Sequence, residues 1–267
     1  MLCIQCGCHN PNIGGLAKHK QDKDKELERD LALARERLIR NAIIHQDTEN
    51  LKNLIKGFKA LPSHTEESYL ILATQHNYLA GVQLLLQKLK IEDINAQDDQ
   101  GYTALHWAAE QGATKIVQAL LDTEKANIYI QGGDSKSIPL MIAAKHSDPH
   151  IVNRLIAFDP SPQHINAQDA MGDTALILAI MNRDHKVKLG NKLAIVNILL
   201  EKGADITKSN AKNRTALQSA QQRIRIDTLS AKSEYTAAKE VAIKKQRIQE
   251  MQTIAEALEK ASKSTKA

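Results

Sequence analysis

Aromatic residues are scarce in this chain. Phe, Trp and Tyr make up 3% of its 267 residues, so a core must be built from Leu, Ile, Val and Ala. Such a core favours packed helices over a β-sandwich, whose strands are enriched in aromatic residues. We therefore predict an all-α fold.

Long apolar runs are missing as well. No stretch approaches the roughly 18 consecutive apolar residues that a membrane span needs, and a quarter of the residues are charged. Residues 1–15 lack the basic and apolar regions of a secretory signal peptide. We expect a protein with no integral membrane segment.

Cysteine is confined to the start of the chain, at Cys3, Cys6 and Cys8. Residues 9–267 contain no cysteine and so no disulfide can staple this part of the chain, which is typical of a reducing compartment. We expect a cytoplasmic protein.

The same three cysteines and His9 form the pattern C-x-x-C-x-C-H, whose thiolates and imidazole suit zinc or nickel. Over residues 3–8 the pattern resembles the leader of nickel-insertion proteins in hydrogenase maturation. Besides a metal site at Cys3, Cys6, Cys8 and His9, two alternatives stay open: S-acylation beside nearby lysines, and a leader whose cysteines have no role. We expect no other cofactor.

Positive charge is concentrated at one end. Residues 208–267 carry 13 Lys and Arg against 6 Asp and Glu, a charge of +7, so the rest of the chain carries −2 of the total +5. Clustered basic residues can bind phosphate, but here no aromatic residues are interleaved with them. We expect a solvated helix face and no nucleic-acid partner.

An internal repeat runs through the middle of the chain. Leu105, Leu140, Leu176 and Leu217 open similar segments and lie 35, 36 and 41 residues apart, the last interval being lengthened by an insertion. Periods in the thirties are typical of stacked helix pairs, which bury a core only by packing on their neighbours.

Two weaker units precede these four. Leu70 lies 35 residues before Leu105, and Ile39 lies 31 residues before Leu70. Within a unit, a first short helix is followed by a glycine that can end it, such as Gly112, and by a second helix with an apolar stripe.

The segment 101–109, GYTALHWAA, resembles the ankyrin motif G-x-T-P-L-H-x-A-A, and residues 203–206, GADI, resemble the end of the ankyrin repeat. The resemblance implies an all-α solenoid of helix pairs with short hairpin loops. Lys136 replaces the motif's glycine and Ile138 its threonine, which puts one hairpin tip and one helix cap in doubt. Asn213 also replaces the glycine but tolerates positive φ.

We divide the chain into four parts. The tail contains apolar residues near heptad spacing, which predicts a capping helix or, alternatively, coiled-coil self-association of an otherwise monomeric protein. The parts are a flexible Cys-containing leader over 1–22, an N-terminal capping helix over 23–35, an ankyrin array of five to six repeats over 36–228 with an insertion near 183–192, and a basic long helix and tail over 229–267.

Catalytic signatures are missing. The sequence contains no G-x-x-x-x-G-K-[ST], G-x-S-x-G or H-E-x-x-H motif. His106 occupies the motif's histidine position, where the resemblance implies hydrogen bonds within and between hairpins. We predict that the protein is not an enzyme.

The ankyrin resemblance implies a non-enzymatic adaptor that binds an unknown protein through a concave surface. That surface consists of the hairpin tips and first helices, with Tyr102, Met171 and Met181 as the expected apolar anchors. Its predicted residues are Asp99, Gln100, Tyr102, Glu110, Gln111, Asp134, Ser135, Ser137, Lys145, His146, Met171, Asp173, Met181, Asn182, Lys212, Arg214, Gln222 and Arg223.

Other functions compete with this interpretation. A metal-binding or metal-delivery protein would use the N-terminal cluster and keep the repeats as a docking platform. Leu61-Pro62 before a helix resembles the start of an F-box, although the repeat register accounts for the same residues. Divergent ankyrin arrays with charged tails also resemble effectors that intracellular bacteria deliver into host cells.

Overall fold

The computed structural model describes residues 12–56, 68–88, 94–146, 148–182, 190–231 and 238–264. The chain divides between Gly57 and Phe58 into two compact units, which are described separately.

The first unit is a helix pair. Helix α1 (Asn12–Ile44) packs against α2 (Thr48–Lys56), and Ile39, Ile43 and Leu51 are buried. We predicted a flexible leader up to residue 22 and a separate helix over 23–35, whereas α1 begins at Asn12 and runs without a break. The sequence contains no proline within α1 that would interrupt it.

The second unit contains five successive helix pairs among its described residues. A short helix, α9 (Pro162–Ile165), precedes the fourth pair. The pairs are α3 (Tyr69–Gln75) with α4 (Leu79–Leu86), α5 (Ala104–Gln111) with α6 (Thr114–Leu121), α7 (Pro139–His146) with α8 (Pro149–Phe158), α10 (Ala175–Met181) with α11 (Asn191–Glu201), and α12 (Ala216–Ala231) with α13 (Ala238–Ser264).

Packing arranges these pairs in two rows. The first helices pack in the order α3, α5, α7, α10, α12, and the second helices in the order α4, α6, α8, α11, α13. Leu70, Leu140 and Leu155 are fully buried, and each such side chain contributes about 1.5–3 kcal/mol relative to an exposed one. The predicted stack of helix pairs is thus confirmed.

Local sequence sets where the helices begin and end. Gly112 ends α5 in the left-handed conformation, with φ 71°, which costs glycine little. Asp148 begins α8 by accepting a hydrogen bond from the backbone N–H of His150, with Pro149 in the first turn. Lys136 and Asn213 both adopt positive φ, so the two tips that lack the motif's glycine still form.

The tail belongs to the last helix pair. Helix α13 packs against both α12 and α11, and its apolar residues Met251, Ile254 and Leu258 are buried. We predicted a capping helix, with self-association through its apolar seam as the alternative, and the structure packs this apolar face against α12 and α11. The inserted residues 183–189 lie outside the described residues.

Glu250 joins α13 to the start of α11. Its Oε1 accepts hydrogen bonds from the backbone N–H groups of Gly190, at 2.9 Å, and Leu193, at 3.4 Å. A carboxylate at this position satisfies backbone donors that the helix itself cannot pair.

Replacing Glu250 with Ala is therefore expected to lower the free energy of unfolding by about 1 kcal/mol. Urea denaturation followed by circular dichroism would measure the loss. Glu250→Gln keeps an acceptor oxygen and should lose less than half as much; equal losses for the two variants would contradict the capping role.

Candidate protein-interaction surface

Three hairpin tips are built in the same way. Asp98 Oδ1 accepts hydrogen bonds from the backbone N–H groups of Gln100, at 3.0 Å, and Tyr102, at 2.8 Å. The carboxylate of Asp169 likewise accepts from the backbone N–H groups two and four residues later. The side-chain amide oxygen of Asn210 accepts from the two equivalent N–H groups of its own tip. Because one side-chain oxygen fixes each turn, the tips are ordered without large side chains.

Backbone hydrogen bonds join each tip to the next. The N–H of Gly133 donates to the carbonyl of Gln100 at 2.8 Å, that of Ala170 to Ser135 at 2.7 Å, and that of Ala211 to Met171 at 2.8 Å. The tips therefore form a continuous row, which we call the tip row, from Asp99 to Arg214.

His106 connects two repeats from inside the stack. Its Nδ1 accepts a hydrogen bond from the backbone N–H of Thr103 at 3.1 Å, and its Nε2 donates to the carbonyl oxygen of Ser137 at 3.1 Å. The side chain is fully buried, and burial lowers its pKa to about 4. The predicted structural role of His106 is confirmed.

Tyr102 packs across the first two tips. Its ring stacks on His106 with centroids 5.3 Å apart and meets Trp107 edge-on. A Cβ atom at Gly132 would lie 2.4 Å from the Tyr102 ring and 2.8 Å from the carbonyl oxygen of Gly101, so the ring needs glycine there. Burial and nearby carboxylates raise the pKa of Tyr102. This tyrosine is half-buried and holds neighbouring tips together.

Half of the eighteen predicted surface residues are exposed, and six more are half-buried. The half-buried ones, besides Tyr102, are Glu110, Ser135, His146, Arg214 and Arg223. The exposed ones are Asp99, Gln100, Gln111, Asp134, Lys145, Met171, Met181, Lys212 and Gln222.

The exposure predicted for Ser137, Asp173 and Asn182 is wrong, because all three are buried. The carbonyl of Ser137 accepts from His106, and the carboxylate of Asp173 accepts from the side-chain amide of Asn210 at 2.7 Å. Asn182 donates its side-chain amide to the carbonyl of Lys145. Each one pairs with a neighbouring repeat, which the pattern of a single repeat does not reveal.

Comparison with known families agrees with this geometry. The model of the family "Ankyrin repeats (3 copies)" matches residues 39–132 and 126–210, which together exceed half of the chain. The chain belongs to the ankyrin-repeat family. Ankyrin repeats support a role as a protein–protein interaction adaptor, and the ankyrin fold is typically non-enzymatic.

Relatives of this ankyrin protein are much longer. Dog inversin is 35% identical over 118 residues, which span 43% of this chain and 11% of inversin. The mouse B-cell lymphoma 3 protein homolog is 29% identical over 169 residues, which span 62% of this chain and 35% of that protein.

Two solved structures share the ankyrin fold. One is a chain from the complex of the predatory endopeptidase Bd0816 of Bdellovibrio bacteriovorus with the immunity protein Bd3460; it has a TM-score of 0.59 and 25% identity and covers 73% of this chain and 98% of its own. The other is EF0377, an ankyrin-repeat protein, with a TM-score of 0.59 and 23% identity. The match covers 70% of this chain and 91% of EF0377.

Charge and apolar groups are distributed unevenly along the ankyrin surface. The first tip presents Asp99, the second Asp134 beside Lys136, and the last Lys212 and Arg214. The tip row therefore changes from acidic to basic along the stack.

Apolar exposure on this surface concentrates in one repeat. Met171 at its tip is 59% exposed and Met181 at the far end of α10 is 37% exposed. Methionine is a flexible side chain that adapts to varied apolar partners. A polar feature lies on α5 of the same surface: the carboxylate oxygen Oε2 of Glu110 is buried and has no hydrogen-bond partner among the described residues.

The sequence analysis did not identify the glutamines whose side chains connect neighbouring tips. Gln97 donates to the carbonyls of Gly101 and, in the next repeat, Gln131; Gln168 donates to Gly172 and Ser209 in the same way. The signal was present, since Ile-Asn-Ala-Gln-Asp occurs at both 94–98 and 165–169.

The predicted metal ligands Cys3, Cys6, Cys8 and His9 lie outside the described residues. Within the described ranges, no group of three or more His, Cys, Asp or Glu side chains is arranged to hold a metal ion. The same ranges contain no helix that combines the length and low charge needed to cross a membrane.

Proposed function

We propose that this ankyrin protein is a non-enzymatic adaptor that binds a partner protein on the tip row and the adjoining first helices. The observation that carries the proposal is the exposure of two methionines of one repeat: Met171 on an ordered tip and Met181 at the far end of α10. Exposed flexible apolar groups framed by polar ones are typical of protein interfaces.

The residues around the two methionines indicate which charge a partner segment would carry. Lys145 lies beside Met181, since its carbonyl accepts from the neighbouring Asn182, and Lys212 lies on the tip bonded to Met171. Both lysines are exposed. A segment with apolar side chains flanked by carboxylates fits this arrangement, with the charges setting orientation and association rate.

Two of the predicted surface residues, Tyr102 and Arg223, act within the fold. Tyr102 packs on neighbouring glycines, and the guanidinium of Arg223 pairs with the carboxylate of Asp227 at 2.9 Å. Substituting either would disturb the scaffold together with the surface.

A cleaner test therefore uses Met171→Ala, Met181→Ala and Lys212→Glu combined, because all three side chains are exposed. A partner captured by the intact protein is identified by mass spectrometry and titrated by calorimetry. We expect its affinity to fall by roughly 100-fold or more, since central apolar anchors carry most of the binding energy.

A matched control carries the same kinds of change on the second-helix row, namely Gln118→Ala, Phe158→Ala and Lys115→Glu, also at exposed positions. It should bind the partner as tightly as the intact protein. Equal weakening by both triple variants, or no weakening by the first, would contradict binding at the methionine repeat.

We also propose a test of the hypothesis that the protein is an effector delivered into host cells. Deleting roughly the last 30 residues, the obvious translocation test, would remove all of α13 and uncover the faces of α11 and α12 on which it packs. Charge reversal at the exposed Lys245 and the exposed Lys260 tests the basic tail with the fold intact. Unchanged translocation of that variant would contradict a role for the tail's charge.

A further inference from the structure

Helix α1 carries a stripe of exposed apolar side chains. Leu27, Leu31 and Leu38 are 60%, 62% and 50% exposed, and Ala34 between them is exposed too. Their spacing of four, three and four residues places all four on one face of the helix. We call this face the α1 seam.

The part of α1 that bears the seam is largely exposed, and its Arg35 side chain donates a hydrogen bond to the carbonyl of Leu54 at 3.4 Å. Every residue from 23 to 35 is exposed, and the first buried side chain in the described part of α1 is Ile39. Helices in proteins gain most of their stability from packing an apolar face. The seam is therefore a surface on which a second helix would be stabilising.

Charges beside the seam show which helix fits. The acidic residues Glu28 and Asp30 flank its first half, and the basic residues Arg35 and Arg37 flank its second half. A helix that packs antiparallel on the seam should therefore carry basic residues beside the acidic half and acidic residues beside the basic half. The α1 helix of a second copy satisfies that requirement by itself.

We propose that α1 is a homodimerisation helix that pairs with α1 of a second copy in an antiparallel coiled coil. With the seams centred on each other, Glu28 lies opposite Arg35 of the second copy and Asp30 opposite its Arg37. These are the flanking e and g positions, which determine partner choice and orientation in coiled coils.

The seam residues favour the antiparallel orientation. It places Leu27 opposite Leu38 and Leu31 opposite Ala34, so that every small side chain meets a large one. A parallel pair would place Ala34 opposite Ala34 and leave a gap in the apolar layer, which destabilises a packed interface.

The first experiment measures the oligomeric state of the full chain by sedimentation equilibrium. We expect a mass approaching that of two chains as concentration rises, and a dimer dissociation constant raised at least roughly tenfold by Leu31→Arg. Leucine and arginine have similar helix propensities, so α1 should persist, which circular dichroism would check.

Leu33→Arg is the matched control. Leu33 is 53% exposed on the same helix but lies roughly 130° around it from the centre of the seam. Its substitution should leave dimerisation unchanged. A chain that stays monomeric at all concentrations, or equal effects of the two variants, would overturn the proposal.

Orientation is tested by reversing charges. Asp30→Arg should weaken the dimer, and adding Arg37→Asp should restore it, because the two positions face each other only between antiparallel copies. They are seven residues apart, so they do not pair within one helix, where neighbours lie three or four residues apart. Failure of the second change to restore the dimer would overturn the antiparallel arrangement.

Discussion

Acidification from pH 7 to pH 4 is expected to remove about 3 kcal/mol of the free energy of unfolding through His106 alone. Burial lowers the pKa of His106 from 6.5 to about 4 in the folded protein. Between pH 6.5 and pH 4, His106 is protonated in the unfolded chain but neutral in the folded protein. The stabilisation is therefore complete above the unfolded pKa and is lost as pH falls towards 4.

The chain supplies its own control for this prediction. In the last repeat, Gln218 occupies the position of His106, and its Oε1 accepts from the backbone N–H of Thr215 at 2.9 Å. His106→Gln should keep that bond at Thr103 but cannot titrate. Urea denaturation at several pH values should show that, between pH 7 and pH 4, the variant loses about 3 kcal/mol less of its free energy of unfolding than the original protein. If the free energies of unfolding of the two proteins fell in parallel with pH, His106 would not be the cause.

Replacing Asp98 with Ala is expected to lower the free energy of unfolding by about 3 kcal/mol. The carboxylate accepts from the backbone N–H groups of Gln100 and Tyr102 and from the indole N–H of Trp107, at 2.7 Å. Alanine leaves all three donors without their acceptor. Urea denaturation monitored by circular dichroism would measure the loss.

Asp98→Asn separates the turn from the indole contact. Asn210 shows that an amide oxygen can accept both backbone bonds of a tip, whereas the amide nitrogen cannot accept from Trp107. We expect a loss of about 1 kcal/mol for this variant. Equal losses for Ala and Asn would mean that the backbone bonds contribute little.

The helix pairs were predictable because their cause is local. Leu105, Leu140 and Leu176 recur with the period of one repeat, and each is buried at the same place in the stack. The histidine at position 106 was also predictable, since the resemblance covers the residues that it bonds.

Apart from the bond of His106 to Ser137, the side-chain contacts between repeats were not predictable from that pattern. Asp173 looks like an exposed tip residue until Asn210, 37 residues later, donates to its carboxylate. Asn182 donates its side-chain amide to the backbone carbonyl of Lys145 in the preceding repeat. Exposure at these positions depends on which side chain the adjoining repeat presents, and a repeat motif does not specify it.

The place of the tail was unpredictable for a related reason. The heptad-like spacing in α13 shows that one face is apolar but not which surface covers it. Glu250 reaches the start of α11 across 60 residues of sequence, and Met251 is buried beside it. The same ambiguity applies to the α1 seam, whose spacing is similar but whose leucines remain exposed.

The position of Trp107 gives this protein an optical reporter. It is the chain's one tryptophan, half-buried beneath the first tip between Asp98 and Tyr102. Its fluorescence should respond when a ligand covers that tip and stay constant when a ligand touches only the basic end of the stack. Partner binding can therefore be followed without a label, and the emission spectrum itself distinguishes the two ends of the surface.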